Sequence, residues 1–265
     1  MLNQTYQSAV FSLSAFLAIA LWLFLPALAY AAAQDTTQTE QPEVPPFDVY
    51  KMDFSFEGLD DLSVFVLSPK ELNAATGHKI LVYFVGGGQE AEFAQSSLGS
   101  EVAREALRRG YIFVSPAAPC YDCTFVAKGD QYFPKLFEIL RETFPMAEDR
   151  FHLMGFSNGG RSSFHLATRH PEWVASITAY PGYLRGNQFE LLENLNETCV
   201  VMYVGKQDRG FAERHRDLVR RLKKLKRPVH EKIYIGEGHN IDPLWTQEGA
   251  KQLMDGIDQG WGCPE

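Results

Sequence analysis

The residues best suited to chemistry lie in one segment of this sequence, where an apolar run leads into a serine flanked by glycines. The segment reads Phe-His-Leu-Met-Gly-Phe-Ser-Asn-Gly-Gly from Phe151 to Gly160. A Gly-x-Ser-x-Gly turn between a strand and a helix is typical of a nucleophile elbow, which holds a serine on a strained backbone. Gly155 and Gly159 are small enough to let the strand and the helix approach each other there. We therefore predict that Ser157 is a nucleophile at the amino end of a helix, where free amides stabilise negative charge.

A serine hydroxyl is a poor nucleophile until a neutral imidazole removes its proton, and a carboxylate must orient that imidazole. Behind such an elbow, the acid and then the histidine are expected at the carboxyl ends of later strands. Asp208 follows the apolar run from Cys199 to Val204, and His239 lies in a glycine-rich loop after the run that ends at Ile235. Their order and positions favour Asp208 as the acid and His239 as the base.

Each of these two assignments has alternatives in the sequence. Asp208 would also suit the capping position of the helix that follows it, and His239 would also suit an exposed loop. Asp242 is a second candidate for the acid, although it follows the histidine in the chain. His215 and His230 are weaker candidates for the base, because the first falls within a predicted helix and the second precedes a predicted strand.

The negative charge that forms when a serine attacks a carbonyl group needs two amide donors. Asn158, directly after the serine, is one candidate. The other is expected after the third predicted strand, where three glycines from Gly86 to Gly88 let backbone amides approach a substrate. We predict Gly87 as this second donor and Gly88 as its alternative, although a plain flexible turn would have the same sequence.

The order of the predicted secondary structure elements indicates an α/β fold. Continuous apolar strands that alternate with amphipathic helices favour a mostly parallel sheet with helices on both faces. The first two strands lie close together and alternate, so an antiparallel hairpin is expected there. The eight strand candidates are Tyr50 to Phe56, Leu62 to Leu67, Ile80 to Val85, Tyr111 to Ser115, Phe151 to Met154, Val174 to Ala179, Val200 to Val204 and Glu231 to Ile235. The five helix candidates are Leu98 to Arg109, Gln131 to Thr143, Gly159 to Arg169, Phe211 to Arg227 and Leu244 to Ile257.

The composition suits one globular domain with short appendages. The chain has 265 residues, of which 45% are hydrophobic, and a formal net charge of −8. The concentrated basic run between Arg214 and Arg227 falls within a predicted helix, where Leu218, Leu222 and Leu225 form the buried stripe, so we interpret it as a solvated helix face. Binding to nucleic acid is not expected of a chain with this charge.

The amino-terminal region has the character of a targeting segment. Residues 9–33 carry no charged side chain, and several small-x-small triplets follow Pro26. We predict a signal peptide over residues 1–33, with an uncleaved membrane anchor as the alternative. Either interpretation predicts export, so the protein would be secreted or periplasmic, or held at a membrane by the uncleaved segment. Residues 34–47 are polar and proline-rich and are predicted to be a flexible linker, and residues 48–265 are predicted to be the catalytic domain.

Four cysteines are present, at positions 120, 123, 199 and 263. An even number in an exported chain is compatible with two disulfides, and the sequence leaves all three pairings open. A redox dithiol at Cys120 and Cys123 is the less favoured interpretation, because the pair lies in a proline-rich loop without the strand and helix of a thioredoxin. No metal or cofactor is expected, since the histidines show no ligand spacing.

Together, the elbow, the acid, the base and the glycine run resemble the α/β-hydrolase superfamily from about Tyr50 to Ile257. The Gly-Phe-Ser-Asn-Gly-Gly motif is similar to that of small secreted esterases, among them feruloyl esterases and polyhydroxyalkanoate depolymerases. The resemblance implies an α/β-hydrolase fold with an eight-stranded sheet. Many relatives have His-Gly where this chain has Val85 before Gly86. Only residues 180–197 separate the sixth and seventh strands, so a large lid domain, and with it a lipase for long acyl chains, is not expected.

These features predict a serine hydrolase that cleaves carboxylic esters through an acyl-enzyme intermediate. Its partner would be a small-molecule or polymer-linked ester. Two alternatives remain open: a serine peptidase with the same triad, which would differ only in the leaving group, and a noncatalytic binding protein that has kept the fold.

Overall fold

A computed structural model of the protein describes residues 43–120 and 123–264, which contain one eight-stranded sheet. The strands follow the order β1-β2-β4-β3-β5-β6-β7-β8 across the sheet. In chain order they are β1 (Phe47–Phe54), β2 (Leu62–Pro69), β3 (Ile80–Phe84), β4 (Ile112–Pro116), β5 (Phe151–Gly155), β6 (Val174–Ala179), β7 (Cys199–Gly205) and β8 (His230–Tyr234).

The sheet is mostly parallel, as the sequence predicts. Strands β1 and β2 form the expected antiparallel hairpin, and β2 is also antiparallel to β4. All other neighbouring strands run parallel. The predicted α/β-hydrolase fold class is thereby confirmed. The carboxyl ends of β3, β5, β7 and β8 consequently lie along the same edge of the sheet, where ligand sites of such folds form.

Six α-helices accompany the strands in the described part of the chain. They are α1 (Ala91–Ser96), α2 (Glu101–Arg108), α3 (Phe133–Thr143), α4 (Asn158–Arg169), α5 (Arg209–Lys224) and α6 (Gln247–Asp258). Between β6 and β7 the chain forms only a 3₁₀ helix over Gly186–Asn194. The described residues therefore include no large lid domain.

Alternate residues of each central strand pack on opposite faces of the sheet, and both faces are covered by helices. In β3, Ile80 and Val82 join a cluster with the buried sides of α3, α4 and α5, whereas Leu81 and Tyr83 join a second cluster with those of α2 and α6. Burying one large apolar side chain in such a cluster contributes about 1.5–3 kcal/mol. Two cores of this kind hold the sheet edge, and the loops that extend from it, in a fixed position.

The structure differs from the predicted boundaries mainly where short elements occur. Helix α1 was not predicted, because its six residues are too few to show a clear helical period. A 3₁₀ turn at Ser97–Gly99 then precedes α2, which begins only after Ser100, whose side chain accepts a hydrogen bond from the amide of Ala103 (3.2 Å). The helix predicted from Leu244 begins at Gln247, after another 3₁₀ turn.

The amino-terminal predictions lie largely outside the described residues. This applies to the signal peptide or anchor over residues 1–33 and to most of the linker over residues 34–47. Strand β1 begins at Phe47, the last residue of that linker, because Phe47 pairs with Pro69 of β2. Among the described residues, no helix is both long and apolar enough to cross a membrane.

Two disulfides are present, and they settle the pairing that the sequence leaves open. Cys120 is bonded to Cys123, and Cys199 is bonded to Cys263. The second bond joins the first residue of β7 to the carboxyl-terminal segment, where the amide of Val200 also donates a hydrogen bond to the carbonyl of Gly262 (3.0 Å). This end of the chain is thus fixed to the central sheet.

The two bonds should differ in what they contribute to stability. Replacing both Cys199 and Cys263 by serine should lower the free energy of unfolding by about 4 kcal/mol, since the bond closes a long loop in the unfolded chain. The matched replacement of Cys120 and Cys123 should cost about 2 kcal/mol, because only three positions separate them. Urea unfolding without reductant measures both changes, and equal losses would contradict this account.

Candidate active site

Ser157 lies on a sharp turn between β5 and α4. Its φ of 56° and ψ of −115° place a residue with a side chain in the left-handed region, which costs about 1–3 kcal/mol. A Cβ on Gly155 would lie 2.2 Å from the carbonyl carbon of Gly159, and one on Gly159 would lie 1.8 Å from the carbonyl oxygen of Phe84. The two glycines are therefore required for the close packing that the turn depends on, as the sequence predicts.

The structure brings the predicted serine, histidine and aspartate into one continuous hydrogen-bonded line. Nε2 of His239 lies 2.9 Å from Oγ of Ser157, and Nδ1 of the same ring lies 2.6 Å from Oδ2 of Asp208. When Nδ1–H donates to the carboxylate, Nε2 is left as the acceptor for the serine hydroxyl. The imidazole is thus positioned to take a proton from Ser157 while Asp208 stabilises the resulting positive charge.

Backbone contacts between the loops after β7 and β8 hold the aspartate and the histidine together. The amide of Gln207 donates to the carbonyl of Glu237 (2.9 Å). A Cβ on Gly205 would lie 2.0 Å from the carbonyl oxygen of Gly238, so the two loops approach too closely for any other residue. The close approach therefore requires the glycine at the end of β7, whereas a Cβ on Gly238 would meet no atom within 4 Å.

Asp208 has both of the roles that the sequence leaves open. Its Oδ1 accepts a hydrogen bond from the amide of Phe211 (3.5 Å) and so caps α5, while Oδ2 contacts His239. The imidazole lies between two aromatic rings, with ring centroids 5.2 Å from Phe156 and 4.7 Å from Phe211. The rings restrict its rotation, yet 40% of the His239 side chain is exposed and accessible to a substrate.

The alternative acid and bases have other partners. Asp242 is exposed, and its amide donates to the Glu237 carboxylate (3.0 Å). His215 belongs to α5 and is completely buried, and burial lowers its pKa below the usual value. His230 stacks on Trp261. None of these three side chains contacts the Ser157 hydroxyl in the described structure.

The glycine turn after β3 is anchored to the serine elbow. The Asn158 side chain donates through Nδ2 to the carbonyl of Gly87 (2.8 Å), and Gly87 has a positive φ of 64°. No carbonyl of the described residues accepts a hydrogen bond from the amides of Gly87 or Gly88, whereas the next amide, that of Gln89, donates to Gly86 (3.2 Å). The three predicted donor residues therefore meet at one place, and neither glycine amide donates to a carbonyl of the described residues.

Gln89 supports this turn and was not predicted. It is fully buried and has a φ of 63°. Its Nε2 donates to the Ser162 hydroxyl (3.0 Å), and its Oε1 accepts from the amide of Phe125 (2.9 Å). Gln89 thereby joins the glycine turn to α4 and to the loop that contains the first disulfide. The sequence shows a polar residue after three glycines, but it gives no sign that this residue is buried.

An apolar pocket of about 410 Å³ lies beside the glycine turn. Phe93 and Trp245, both partly exposed, contribute to its wall. Tyr83, which lines the pocket, accepts a hydrogen bond from the hydroxyl of Tyr180 (2.8 Å), and burial raises the pKa of Tyr83 to about 12, so the pair stays uncharged. The pocket is suited to an apolar group. Its lining consists of Tyr83, Val85, Gly86, Gly87, Phe93, Ser96, Ser97, Ser100, Phe156 and Trp245.

Potential metal ligands come within reach of one another at a single place in residues 43–120 and 123–264. These are Asp60, Cys120 and Cys123. The two sulfurs are joined in a disulfide and provide no thiolate. That the protein needs neither metal nor cofactor stays a prediction.

Comparisons with known proteins agree with this fold. Residues 126–241, which include the elbow and all three residues of the hydrogen-bonded line, match the dienelactone hydrolase family. No curated protein matches the sequence. The family match covers less than half of the chain, so the solved structures are needed to extend it.

Three similar solved structures are esterases or peptidases by description. A thermostable esterase aligns with a TM-score of 0.65 and 16% identity over 79% of this chain and 62% of its own. A putative dipeptidyl aminopeptidase IV from Bacteroides ovatus aligns with a TM-score of 0.66 and 14% identity, over 81% of this chain and 35% of its own. The feruloyl esterase module from Clostridium thermocellum aligns with a TM-score of 0.60 and 16% identity, over 75% of this chain and 86% of its own.

The chain spans less than two thirds of the first two of these proteins, so the likeness is to one part of each. At such low identities the structures establish the fold alone. Sheet order, elbow and family match agree with it: the chain has the α/β-hydrolase fold and resembles esterases that share it.

Proposed function

We propose that the protein is a serine hydrolase that cleaves carboxylic esters, with Ser157 as the nucleophile. The observation that carries this proposal is the unbroken line of hydrogen bonds from Ser157 through His239 to Asp208, at 2.9 and 2.6 Å. Both distances are already within the range needed for proton transfer. The histidine is therefore already placed to accept the hydroxyl proton.

In this mechanism, Oγ of Ser157 attacks the ester carbonyl carbon while Nε2 of His239 takes the hydroxyl proton. Asp208 stabilises the imidazolium, which then gives its proton to the leaving alcohol as the tetrahedral intermediate collapses to an acyl-enzyme. Water, activated by the same imidazole, attacks the acyl-enzyme and releases the acid. The cycle ends with Ser157 protonated and His239 neutral.

The amides of Asn158 and Gly87 would stabilise the oxyanion. Asn158 begins α4, so its amide has no partner within the helix. The carbonyl of Gly87 faces the Asn158 side chain (2.8 Å), and the N–H of a trans peptide points away from its C=O. The amide of Gly88 is therefore directed away from the Asn158 side chain, and we propose Gly87 as the second donor with Gly88 as its alternative.

Features on either side of the serine favour a compact ester. The apolar pocket beside the glycine turn is large enough for a short aliphatic or single-ring group. The short segment between β6 and β7 provides no apolar cover for a long acyl chain. A small-molecule or polymer-linked ester is thus the substrate class that we propose.

A serine peptidase is the second candidate, since a putative dipeptidyl aminopeptidase has a similar fold. The two reactions differ in the leaving group, and the esterases among the similar structures favour the ester.

We also propose that the protein acts outside the cytoplasm. The uncharged amino-terminal segment and the two disulfides support that location.

A fluorophosphonate probe, which reacts with activated serines, should label the purified protein. Replacing Ser157 by alanine should abolish labelling, because no other hydroxyl lies on this hydrogen-bonded line. The matched variant Ser55→Ala removes an exposed hydroxyl from a loop and should be labelled like the native protein. Labelling is measured by in-gel fluorescence, and labelling that persists in Ser157→Ala would falsify the assignment.

The variant Asp208→Asn should lower kcat by about 10⁴-fold, because an amide donor opposite Nδ1 favours the wrong tautomer of His239. Asparagine also caps helices well, so the fold should be retained. The matched variant Asp242→Asn neutralises the rival carboxylate in the same region and should keep native activity. Steady-state kinetics on one aryl ester compares the two variants, and equal losses would leave Asp208 without its assigned role.

A panel of substrates separates the two hydrolase classes. Short-chain p-nitrophenyl esters should be hydrolysed, and peptide anilides should not be turned over above the background of Ser157→Ala if the site is that of an esterase. Cleavage of anilides that is lost in Ser157→Ala would establish the peptidase instead. Turnover of neither class, with no labelling by the fluorophosphonate, would favour the noncatalytic binding protein.

A further inference from the structure

The two amides proposed to hold the oxyanion belong to separate elements. Gly87 lies in the turn after β3, and Asn158 is the first residue of α4. Such donors stabilise an oxyanion only when each lies about 2.7–3.1 Å from it, so the spacing between the two elements must be fixed. On the exposed side, the Asn158 side chain joins them through its hydrogen bond to the Gly87 carbonyl. On the buried side, they are joined by Gln89.

The backbone of Gln89 closes the glycine turn. Its amide donates to the carbonyl of Gly86 (3.2 Å), which belongs to the same peptide group as the amide of Gly87. This bond therefore fixes the donor peptide, and the N–H of that peptide points away from Gln89. The residue has a φ of 63°, in the left-handed region that glycine enters without strain and other residues do not. A fourth glycine would suit this backbone better, so the use of a glutamine lies in its side chain.

The side chain of Gln89 uses its whole amide group. Nε2 donates to the carbonyl of Val85 (3.3 Å) and to the hydroxyl of Ser162 (3.0 Å), and Oε1 accepts from the amide of Phe125 (2.9 Å). The ring of Phe125 packs against that of Phe84 in β3, with 5.1 Å between centroids, so this amide is itself fixed on the sheet. Two donated bonds and one accepted bond require a group that is both donor and acceptor.

Ser162 extends this contact to the residue that supplies the other amide. Its hydroxyl accepts from Nε2 of Gln89 and donates to the carbonyl of Asn158 (3.0 Å), the nearer of its two acceptors. Ser162 is itself fully buried. A continuous path of three hydrogen bonds therefore runs from the Gly86–Gly87 peptide to Asn158, with two buried side chains between them. One end of the path fixes the peptide of the first donor, and the other end fixes the residue of the second.

We propose that Gln89 is a positioning residue that sets the distance between the amides of Gly87 and Asn158, so that both reach the oxyanion at once. Gln89 is buried and does not touch the substrate, and it acts through the turn and through α4. The oxyanion exists in the transition state and not in the bound ester, so a change in this distance should slow the reaction without weakening substrate binding. The inference rests on the proposed function, because it concerns the same reaction.

Replacing Gln89 by methionine tests the whole link. Methionine is unbranched and apolar, and it can make none of the three side-chain hydrogen bonds. With p-nitrophenyl butyrate as the substrate, kcat should fall by about 100-fold, the effect of losing one oxyanion donor, while KM stays within about twofold of the native value. Steady-state kinetics measures both constants.

The variant Ser162→Ala tests the same link with a smaller change in the core. It removes the connection from Gln89 to the Asn158 carbonyl and leaves the other contacts of the glutamine in place, so kcat should fall by about tenfold. The matched control is Ser163→Ala. The hydroxyl of Ser163 is equally buried and donates to the carbonyl of Gly159 (3.1 Å), but it does not contact Gln89. This control should keep the native kcat.

An inhibitor distinguishes misplaced oxyanion donors from a loss of folded protein. The carbonyl carbon of butyl trifluoromethyl ketone accepts Oγ of Ser157, the hydroxyl proton passes to His239, and the carbonyl oxygen becomes an oxyanion like that of the intermediate. Its inhibition constant should rise by the same factor as kcat falls in Gln89→Met and Ser162→Ala, and should stay native in Ser163→Ala. A variant that merely contained less folded enzyme would lose activity with KM and the inhibition constant unchanged.

The possible results separate this inference from the proposed function. If the native protein does not hydrolyse the ester, the proposed function fails and the inference fails with it. If the native protein hydrolyses the ester and Ser162→Ala keeps the native kcat and inhibition constant, the role of Gln89 alone is overturned. A loss of kcat without a matching rise in the inhibition constant, or an equal loss in Ser163→Ala, overturns it as well. Because Ser162→Ala decides by itself, the test does not depend on the folding of Gln89→Met.

Discussion

The close packing of β5 against α4 is the constraint on which the rest of the structure depends. Gly155 pairs in the sheet with Phe84 of β3 and with Ala179 of β6, so ladder contacts reach the last residue before the elbow. Gly159 approaches the Phe84 carbonyl so closely that no side chain fits. Because strand and helix are both fixed, the strained backbone of Ser157 cannot relax. The strain persists because the two buried cores outweigh it.

The same constraint determines where the other groups of the site must lie. A hydroxyl held at the strand edge can be reached only from loops that leave the sheet at that edge, and the loops after β7 and β8 do so side by side. Their mutual hydrogen bonds, including that from Gln207 to Glu237, fix the spacing between Asp208 and His239. The rings of Phe156 and Phe211 flank the imidazole and keep it directed towards both partners. Rigidity in the loops therefore originates in backbone contacts and aromatic packing.

Much of this arrangement could be predicted from the sequence, because it depends on local patterns. The elbow motif, the eight strands and the order of serine, acid and histidine are all visible along the chain. The burial of Gln89, the disulfide pairing and the short helix α1 were not visible, since they depend on contacts between distant segments. Arg214 shows most clearly that contacts between distant segments are not visible in the sequence. In the sequence it belongs to a basic helix face, yet the fold places it beside Arg161 and Arg185, which are 53 and 29 positions away.

Asn158 connects the two sides of the proposed active site. Its Nδ2 donates to the Gly87 carbonyl beside the apolar pocket, and its Oδ1 accepts from Nη1 of Arg161 on α4. An aspartate of the same shape would accept from Arg161 but could not donate to Gly87, and an alanine would do neither. An amide side chain is thus the one kind that holds the glycine turn and the cation at once. Because the backbone amide of the same residue is the proposed oxyanion donor, the positions of the turn, the cation and the nucleophile are coupled through a single side chain.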